Sequence, residues 1–332
     1  MEQISQSELK RVKDNLFFVV GPSRSGTTLL QVMLSSNQRV TIPPETHFFH
    51  HLPRLKRHFG EHLDEKAKWQ LINYWQDYDS RMRDLGLSKI LIKDAVAHCS
   101  PASLEELFIT YLTLYGKQRG KSVIGEKTPR HIMHVDSILK AFPNAKIIAL
   151  FRDPRATALS EMKAAFGSPS VYVTARRWAR YAARHRSYAQ NLPDDQYMMI
   201  RYEDLISEPE AMLKSISSFL QIPFEEQMLK YYERSGREKG FPDHEHWKAG
   251  TDRPIQKDRN QRWREELDPQ EIELIQNKAG AYMQEMGYEL TENECSELQL
   301  GTYRICDYAR SIFSTITGAR KQGYREPGYF RL

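Results

Sequence analysis

Apolar and polar positions along this chain switch repeatedly between two periods. Residues 16–20, Leu-Phe-Phe-Val-Val, form an unbroken apolar run of β-formers. Such a run fits a strand covered on both faces. Gly21, Pro22, Ser23 and Gly26 interrupt it, and apolar residues then return at helical spacing at Leu29, Leu30, Val32, Met33 and Leu34. The pattern predicts strand, tight loop, helix. Residues 40–42 predict a second short strand, followed by Pro43 and Pro44, which force an extended turn. Residues 50–84 mix Trp69, Tyr74, Trp75 and Tyr78 with Lys, Arg and Asp and read as helices. A helix over 104–115 follows, with Ser103 as its cap.

The alternation continues downstream. Val123 and Ile124 predict a short buried strand, and Pro129 opens a helix with Ile132, Met133, Val135, Ile138 and Leu139 inward. Residues 147–151 are the next central strand. Asp153 and Pro154 then supply an N-cap and a first helical residue. A helix over 174–190 is dense in arginine, with Arg176, Arg180 and Arg184 on one face. Residues 197–205 read as strand then helix, and further helices are predicted over 209–220, 224–233 and 274–286. Between the last two, residues 235–264 are long, polar and broken by Gly236, Gly240, Pro242, Gly250 and Pro254. Loops of that length are usually functional or disordered.

Strands alternating with helices give an α/β chain of three layers, α/β/α, around a central parallel sheet of about five strands. Residues 1–290 are expected to form one domain. Residues 291–332 are expected to add a helical extension with a basic tail, docked on the same domain. Its apolar helical face runs through Ile305, Tyr308, Ala309, Ile312, Phe313 and Ile316, and its tail carries Arg320, Lys321, Arg325 and Arg331. A lid over the site and a dimer contact are the alternatives to docking.

Composition narrows the class. The 332 residues are 40% hydrophobic and 27% charged, ordinary for a globular enzyme. The net charge of +5 is compatible with an anionic ligand and too small to argue for nucleic acid. Cys99, Cys295 and Cys306 lie far apart and form no metal or redox pattern. The N-terminal residues are polar and no apolar run approaches the ~20 residues that span a bilayer. The expectation is a cytoplasmic protein with no membrane span.

The loop between the first strand and helix carries the first chemistry. It aims backbone N–H groups and a helix N-terminus at one point, which suits a phosphate. Gly21, four residues and Gly26 match the start of a Walker A loop, yet Thr27 stands where its lysine belongs, and Arg24 sits inside the loop instead. The anion cradle is kept and a standard part of the triphosphate machinery is missing.

Arg24-Ser25-Gly26-Thr27-Thr28 after an apolar strand resembles the 5′-phosphosulfate loop of sulfotransferases that use 3′-phosphoadenosine 5′-phosphosulfate (PAPS). A second segment, residues 145–160, resembles the 3′-phosphate segment of the same family, in which a strand-end Arg and a Ser eight residues later hold that phosphate. Here they are Arg152 and Ser160. The likeness runs from about residue 15 to 290. It implies a P-loop-type fold, PAPS as donor and PAP as product, with no metal required.

The resemblance also assigns roles. Read alone, Glu45 is a helix-capping carboxylate. By likeness to tyrosylprotein-sulfotransferase-like members, the Glu45-Thr46 pair supplies the general base, with His47 as a nearby alternative. Lys127, read alone, is a solvated strand-end lysine; the family's Lys-x-Pro puts it beside the sulfuryl group. His131 and His134 are weaker candidates. Tyr202, in a stretch resembling Arg-Tyr-Glu-Asp-Leu, is expected to support the nucleotide with Arg201 and Glu203. Arg262-Trp263 resembles a cation–Trp pair of a basic loop over the 3′-phosphate, with Thr251 or Lys257 assisting. The implied site is therefore Glu45, Lys127 and Arg24 for catalysis, with Arg24, Ser25, Gly26, Thr27, Thr28, Arg152, Ser160, Tyr202 and Arg262 for the nucleotide.

The acceptor is expected to be a small molecule or peptide offering a hydroxyl or amine, with the helices of residues 50–84 covering its side of the site. The oligomeric state stays open, a homodimer included. Two rivals remain. A P-loop kinase using Mg-ATP would need a downstream acidic metal ligand, for which Asp153 is the obvious candidate. A nucleotide-binding module without turnover would need neither Glu45 nor Lys127.

Overall fold

A computed structural model describes residues 4–164, 167–234, 250–256, 260–292 and 295–317. Lys257 and the basic tail from residue 318 lie outside the described residues. In chain order the elements begin with α1 (Gln6–Asp14), β1 (Phe17–Val20), α2 (Thr27–Ser35), β2 (Val40–Thr41) and α3 (Phe48–Phe59). They continue with α4 (Glu65–Asp77), α5 (Ser80–Arg83), α6 (Lys89–Cys99), α7 (Leu104–Gln118) and β3 (Val123–Lys127). Next come α8 (Val135–Ala141), β4 (Lys146–Phe151), α9 (Pro154–Lys163), α10 (Val171–Asn191), β5 (Tyr197–Arg201), α11 (Tyr202–Ser207) and α12 (Pro209–Leu220). The chain closes with α13 (Trp263–Glu266), α14 (Pro269–Glu285) and α15 (Glu297–Thr317).

The five strands form one sheet in the order β2-β3-β1-β4-β5, parallel throughout. β1 is central: Phe17 pairs with Gly125 of β3 on one side and Lys146 of β4 on the other. Its apolar run is explained by burial on both faces. Phe17, Val19, Ile148 and Leu150 pack on one side with residues of α2 and α12, while Phe18, Val20, Ile147 and Phe151 pack on the other with residues of α3, α7 and α10. The chain thus has the expected three layers. Loops from the carboxyl ends of β1, β3 and β4 converge at one edge, where parallel α/β sheets bind ligands.

Several expected elements shift. The predicted helix over 224–233 is two 3₁₀ turns, Glu226–Met228 and Tyr231–Glu233. Met228 and Tyr231, three residues apart, are both buried, and the 3₁₀ period places such residues in line. The helix opened by Pro129 likewise begins as a 3₁₀ turn, Pro129–His134, and becomes α8 only at Val135. β3 runs on through Gly125 and Glu126, so Lys127 is its last residue. α14 starts five residues earlier than predicted, because Asp268, Pro269 and Glu271 form a capping box with Pro in the first turn. α1 and α6 had no expectation; each is short, with one or a few buried positions.

The C-terminal helix docks with the opposite face from the one its pattern suggested. Asp307, 1% exposed, accepts from the Val171 and Tyr172 backbone N–H groups and the Ser170 hydroxyl, which caps α10. Tyr303 donates to Glu271 of α14 at 2.8 Å. Ile305, Phe313 and Ile316 face outward, 69–78% exposed. A buried carboxylate on a helix N-terminus outweighs the apolar stripe here. Among the described residues no helix is long and apolar enough to cross a membrane.

Candidate active site

The loop after β1 is shaped for close approach. Gly21 has φ +143°, and a Cβ there would lie 2.1 Å from the Leu150 carbonyl oxygen. Gly26 has φ +91°, and its Cβ would lie 2.3 Å from the Tyr202 ring. Arg24 itself takes a left-handed conformation, φ 67°, a position where a bulky residue is strained. α2 begins at Thr27 with no side-chain cap and no acidic residue in its first turn, so its N-terminal N–H groups face the cleft without a built-in anion. The buried Ser25 hydroxyl has no hydrogen-bond partner.

Two arms close on this loop. From the end of β4, Arg152 lies with its guanidinium 4.7 Å from the Tyr202 ring centre, and its Nε donates to Asn260 at 3.1 Å. From α9, the Ser160 hydroxyl accepts from Arg24 Nε at 3.1 Å. Together with Gly26, Thr27, Thr28, Tyr231, Gly250, Thr251 and Pro254 they line an open cleft. Burial pushes the Arg24 pKa below its ordinary value, Arg152 adds to this, and Glu161 and Glu45 oppose it. Two guanidiniums brought together in one cleft give it a positive potential, which favours an anionic ligand.

Within electrostatic reach of Arg24 lies the carboxylate of Glu45. Glu45 Oε1 is in direct contact with Lys127 Nζ, and its Oε2 sits 3.3 Å from His47 Nε2. Lys127 is 0% exposed, so it is no solvated strand-end lysine. Glu45 is not the N-cap residue of α3, which begins at Phe48 and has His47 as N-cap, in a left-handed conformation at φ 53°. Burial lowers the pKa of His47 to about 4 despite Glu45, which leaves the ring neutral at physiological pH. His51, in ring contact with His47, falls to about 2, again chiefly by burial.

Most expected site residues meet here: Arg24, Ser25, Gly26, Thr27, Thr28, Arg152, Ser160 and Tyr202 around the cleft, Glu45 and Lys127 beside it. Thr251 joins the cleft wall. Arg262 does not. It pairs with Glu266 at 2.6 Å on an exposed helical turn, and its neighbour Trp263 is buried under the Arg155 guanidinium. Asp153 is engaged as well. It caps α9 by accepting the Arg155 backbone N–H at 2.8 Å and grips the Arg155 guanidinium at 2.7 Å. The candidate metal ligand of the kinase alternative is thus held by Arg155 in this structure. Glu203 accepts from Tyr288 and from the Asp153 N–H, and Arg201 reaches the Met286 and Gly287 carbonyls, so both are supports behind the cleft.

Sequence reading missed Asn260, Tyr231 and Glu126. Asn260 and Tyr231 carry no local signal. Glu126 did: a carboxylate inside an apolar strand.

The model of the sulfotransferase family matches residues 17–226. Protein-tyrosine sulfotransferase of Drosophila melanogaster is 24% identical over 232 residues, covering 68% of this chain and 42% of that protein. Protein-tyrosine sulfotransferase 1 of Danio rerio is 26% identical over 231 residues, covering 68% and 58%. The chain thus aligns with about half the length of these relatives. In fold, it is similar to the sulfotransferase domain of the Synechococcus PCC 7002 olefin synthase, with a TM-score of 0.59 at 20% identity over 83% of this chain and 95% of that one.

Proposed function

The chain belongs to the sulfotransferase family, and from that premise we propose that it moves a sulfuryl group from PAPS to a hydroxyl or amine of an acceptor, with Glu45 as general base. One observation carries the proposal. A carboxylate is held between a buried lysine and a neutral histidine, beside a cleft with two arginines, a free helix N-terminus and an orphan buried hydroxyl. The residues present fit the nucleotide. Ser25 lacks a partner that a phosphate oxygen would supply, and glycine at position 26 lets the Tyr202 ring pack directly against the loop.

PAPS, when bound, supplies the sulfuryl group and a bisphosphate leaving group. The backbone N–H groups of Ser25 to Thr28 and the Thr27 and Thr28 hydroxyls would hold the 5′-phosphate. Arg152 and Ser160 would hold the 3′-phosphate, and charge-assisted contacts of this kind discriminate strongly against a nucleotide lacking it. Arg24 and Lys127 offset negative charge that builds on the transferred group and the leaving oxygen. Glu45 takes the acceptor proton, a contribution of roughly 10²–10⁴ in rate. The names of the relatives make a phenolic hydroxyl the first acceptor to try, on a peptide or a small molecule. Transfer of radiolabelled sulfate from PAPS to a panel of tyrosine peptides, phenols and amines tests the proposal. Transfer by the wild type and its loss in Glu45→Gln, with nucleotide affinity kept, support it. Nucleotide binding without transfer to any acceptor would favour a binding module, and near-normal turnover by Glu45→Gln would remove the base assignment.

A further inference from the structure

Glu45 and Lys127 each have a neighbour in sequence, and the neighbours meet on the opposite face of the strand. Lys127 is paired in register with Val19, whereas Glu126 is paired with Phe18, whose side chain lies in the core on the other side of the sheet. Glu126 is 0% exposed. Its Oε1 accepts the Thr46 hydroxyl at 2.8 Å, the Thr128 hydroxyl at 2.6 Å and the Thr46 backbone N–H at 3.3 Å. Its Oε2 lies 2.9 Å from His131 Nδ1. An ionised carboxylate only accepts, so that ring nitrogen carries its proton. Burial alone would raise the Glu126 pKa, but His131 and the two threonine hydroxyls hold it below the usual carboxylate range.

The contacts extend along the chain after Glu45. The Thr128 hydroxyl accepts the His47 backbone N–H at 3.3 Å, and the Thr46 hydroxyl accepts the Phe48 N–H at 3.2 Å. Three successive backbone donors, at residues 46, 47 and 48, are therefore satisfied by Glu126 and the two threonines it grips. These donors lie at the entrance to α3, whose own N-cap residue makes no side-chain cap. The segment includes the strained His47 backbone. An unbraced stretch of this kind would relax, and Glu45 would move with it.

We infer that Glu126 is a positioning residue, which holds Glu45 against Lys127 by bracing the backbone of Thr46–Phe48 through Thr46 and Thr128. This rests on Glu45 being the base. Glu126 does not line the cleft. A base displaced by about 1 Å loses on the order of 10² in rate.

The test compares Thr46→Val, Thr46→Ser, Glu126→Gln and Glu45→Gln by kcat, by affinity for adenosine 3′,5′-bisphosphate and by the pH dependence of kcat. Thr46→Val is nearly isosteric and removes only the hydroxyl, so it carries the test even if Glu126→Gln fails to fold. The expected result is a kcat about 10²-fold lower in Thr46→Val and Glu126→Gln, with bisphosphate affinity within about twofold of wild type and with Thr46→Ser recovering most of the turnover. Lys127, His47 and Arg24 surround Glu45, and loosening it from the nearest cation moves the acid limb of the profile to higher pH. Wild-type kcat in Thr46→Val, or a fall in kcat that leaves the acid limb in place, overturns the inference while Glu45→Gln remains inactive. High turnover in Glu45→Gln overturns instead the base assignment beneath it.

Discussion

The cleft proposed for the nucleotide and the segment proposed to carry the base lie side by side and are built in opposite ways. In the cleft, the chain leaves a helix start without a side-chain cap and a buried hydroxyl without a partner, and it brings two arginines to the same wall. In the base segment the carboxylates are answered from within. Glu45 meets Lys127 and His47, and Thr46, Thr128 and His131 converge on Glu126. The difference separates what a ligand must complete from what the protein fixes before the ligand arrives. A cleft lined by two guanidiniums and a helix N-terminus carries a positive potential that favours anions. A prearranged base costs no reorganisation during reaction.

Substitutions should divide along that line. The largest effect falls on the base segment: Glu45→Gln should lower kcat by roughly 10²–10⁴ while bisphosphate affinity, measured calorimetrically, stays within about twofold. Next comes Arg152→Ala, which removes a charge-assisted contact worth about 1.5–3 kcal/mol. It should weaken adenosine 3′,5′-bisphosphate by about 10- to 100-fold and adenosine 5′-monophosphate little, so the affinity ratio between the two is the quantity to read. An unchanged ratio would remove Arg152 from the 3′-site. Gly26→Ala forces a side chain into a left-handed backbone and against Tyr202. It should destabilise the protein by about 1–2 kcal/mol and abolish nucleotide-induced stabilisation, both visible in thermal unfolding.

A smaller effect comes from pH. His47, His50 and His134 are each lowered to about 4, and His51 to about 2, in every case mainly by burial. The unfolded chain, with histidines near the ordinary 6.5, binds more protons than the folded one between those values. Stability therefore rises with pH across that window and is lost as pH falls from about 6.5 toward 4. Urea unfolding at pH 7.5 and 5.5 should show the loss. His50→Gln, outside the carboxylate contacts, should reduce the pH dependence. The smallest effect is expected of Arg262→Ala. Its guanidinium pairs with Glu266 on the surface, and such pairs contribute little. Bisphosphate affinity within about twofold of wild type is the expected result, and a large loss would return Arg262 to the cleft.

The same division explains what could be foreseen from the residues. The cleft was legible because its parts are local. A strand, two glycines, an arginine and a helix start lie within a dozen residues, and a second strand end carries Arg152 with Ser160 two turns on. The sheet was legible because strands buried on both faces read as continuous apolar runs. The base segment was legible only in its end members. Glu45 and Lys127 are 82 residues apart, and nothing in either neighbourhood names the other. Glu126 broke the apolar run of its strand, yet a charge in a strand has no partner until the fold supplies Thr46 and His131. Arg262 followed a local pattern, and in this structure its side chain pairs with a carboxylate one helical turn away. The face of α15 was misread from its local pattern, since Asp307 found a helix N-terminus that no periodicity reveals.

The central claim is that the cleft is built for a nucleotide with a 3′-phosphate. Thermal unfolding in the presence of a chelator tests it most directly, with adenosine 3′,5′-bisphosphate and ADP compared at equal concentration and Mg-ATP measured separately without chelator. At ~100 times its dissociation constant the bisphosphate should stabilise the fold by about 2.7 kcal/mol without metal, with ADP well behind. Stabilisation by Mg-ATP and none by the bisphosphate would contradict the account.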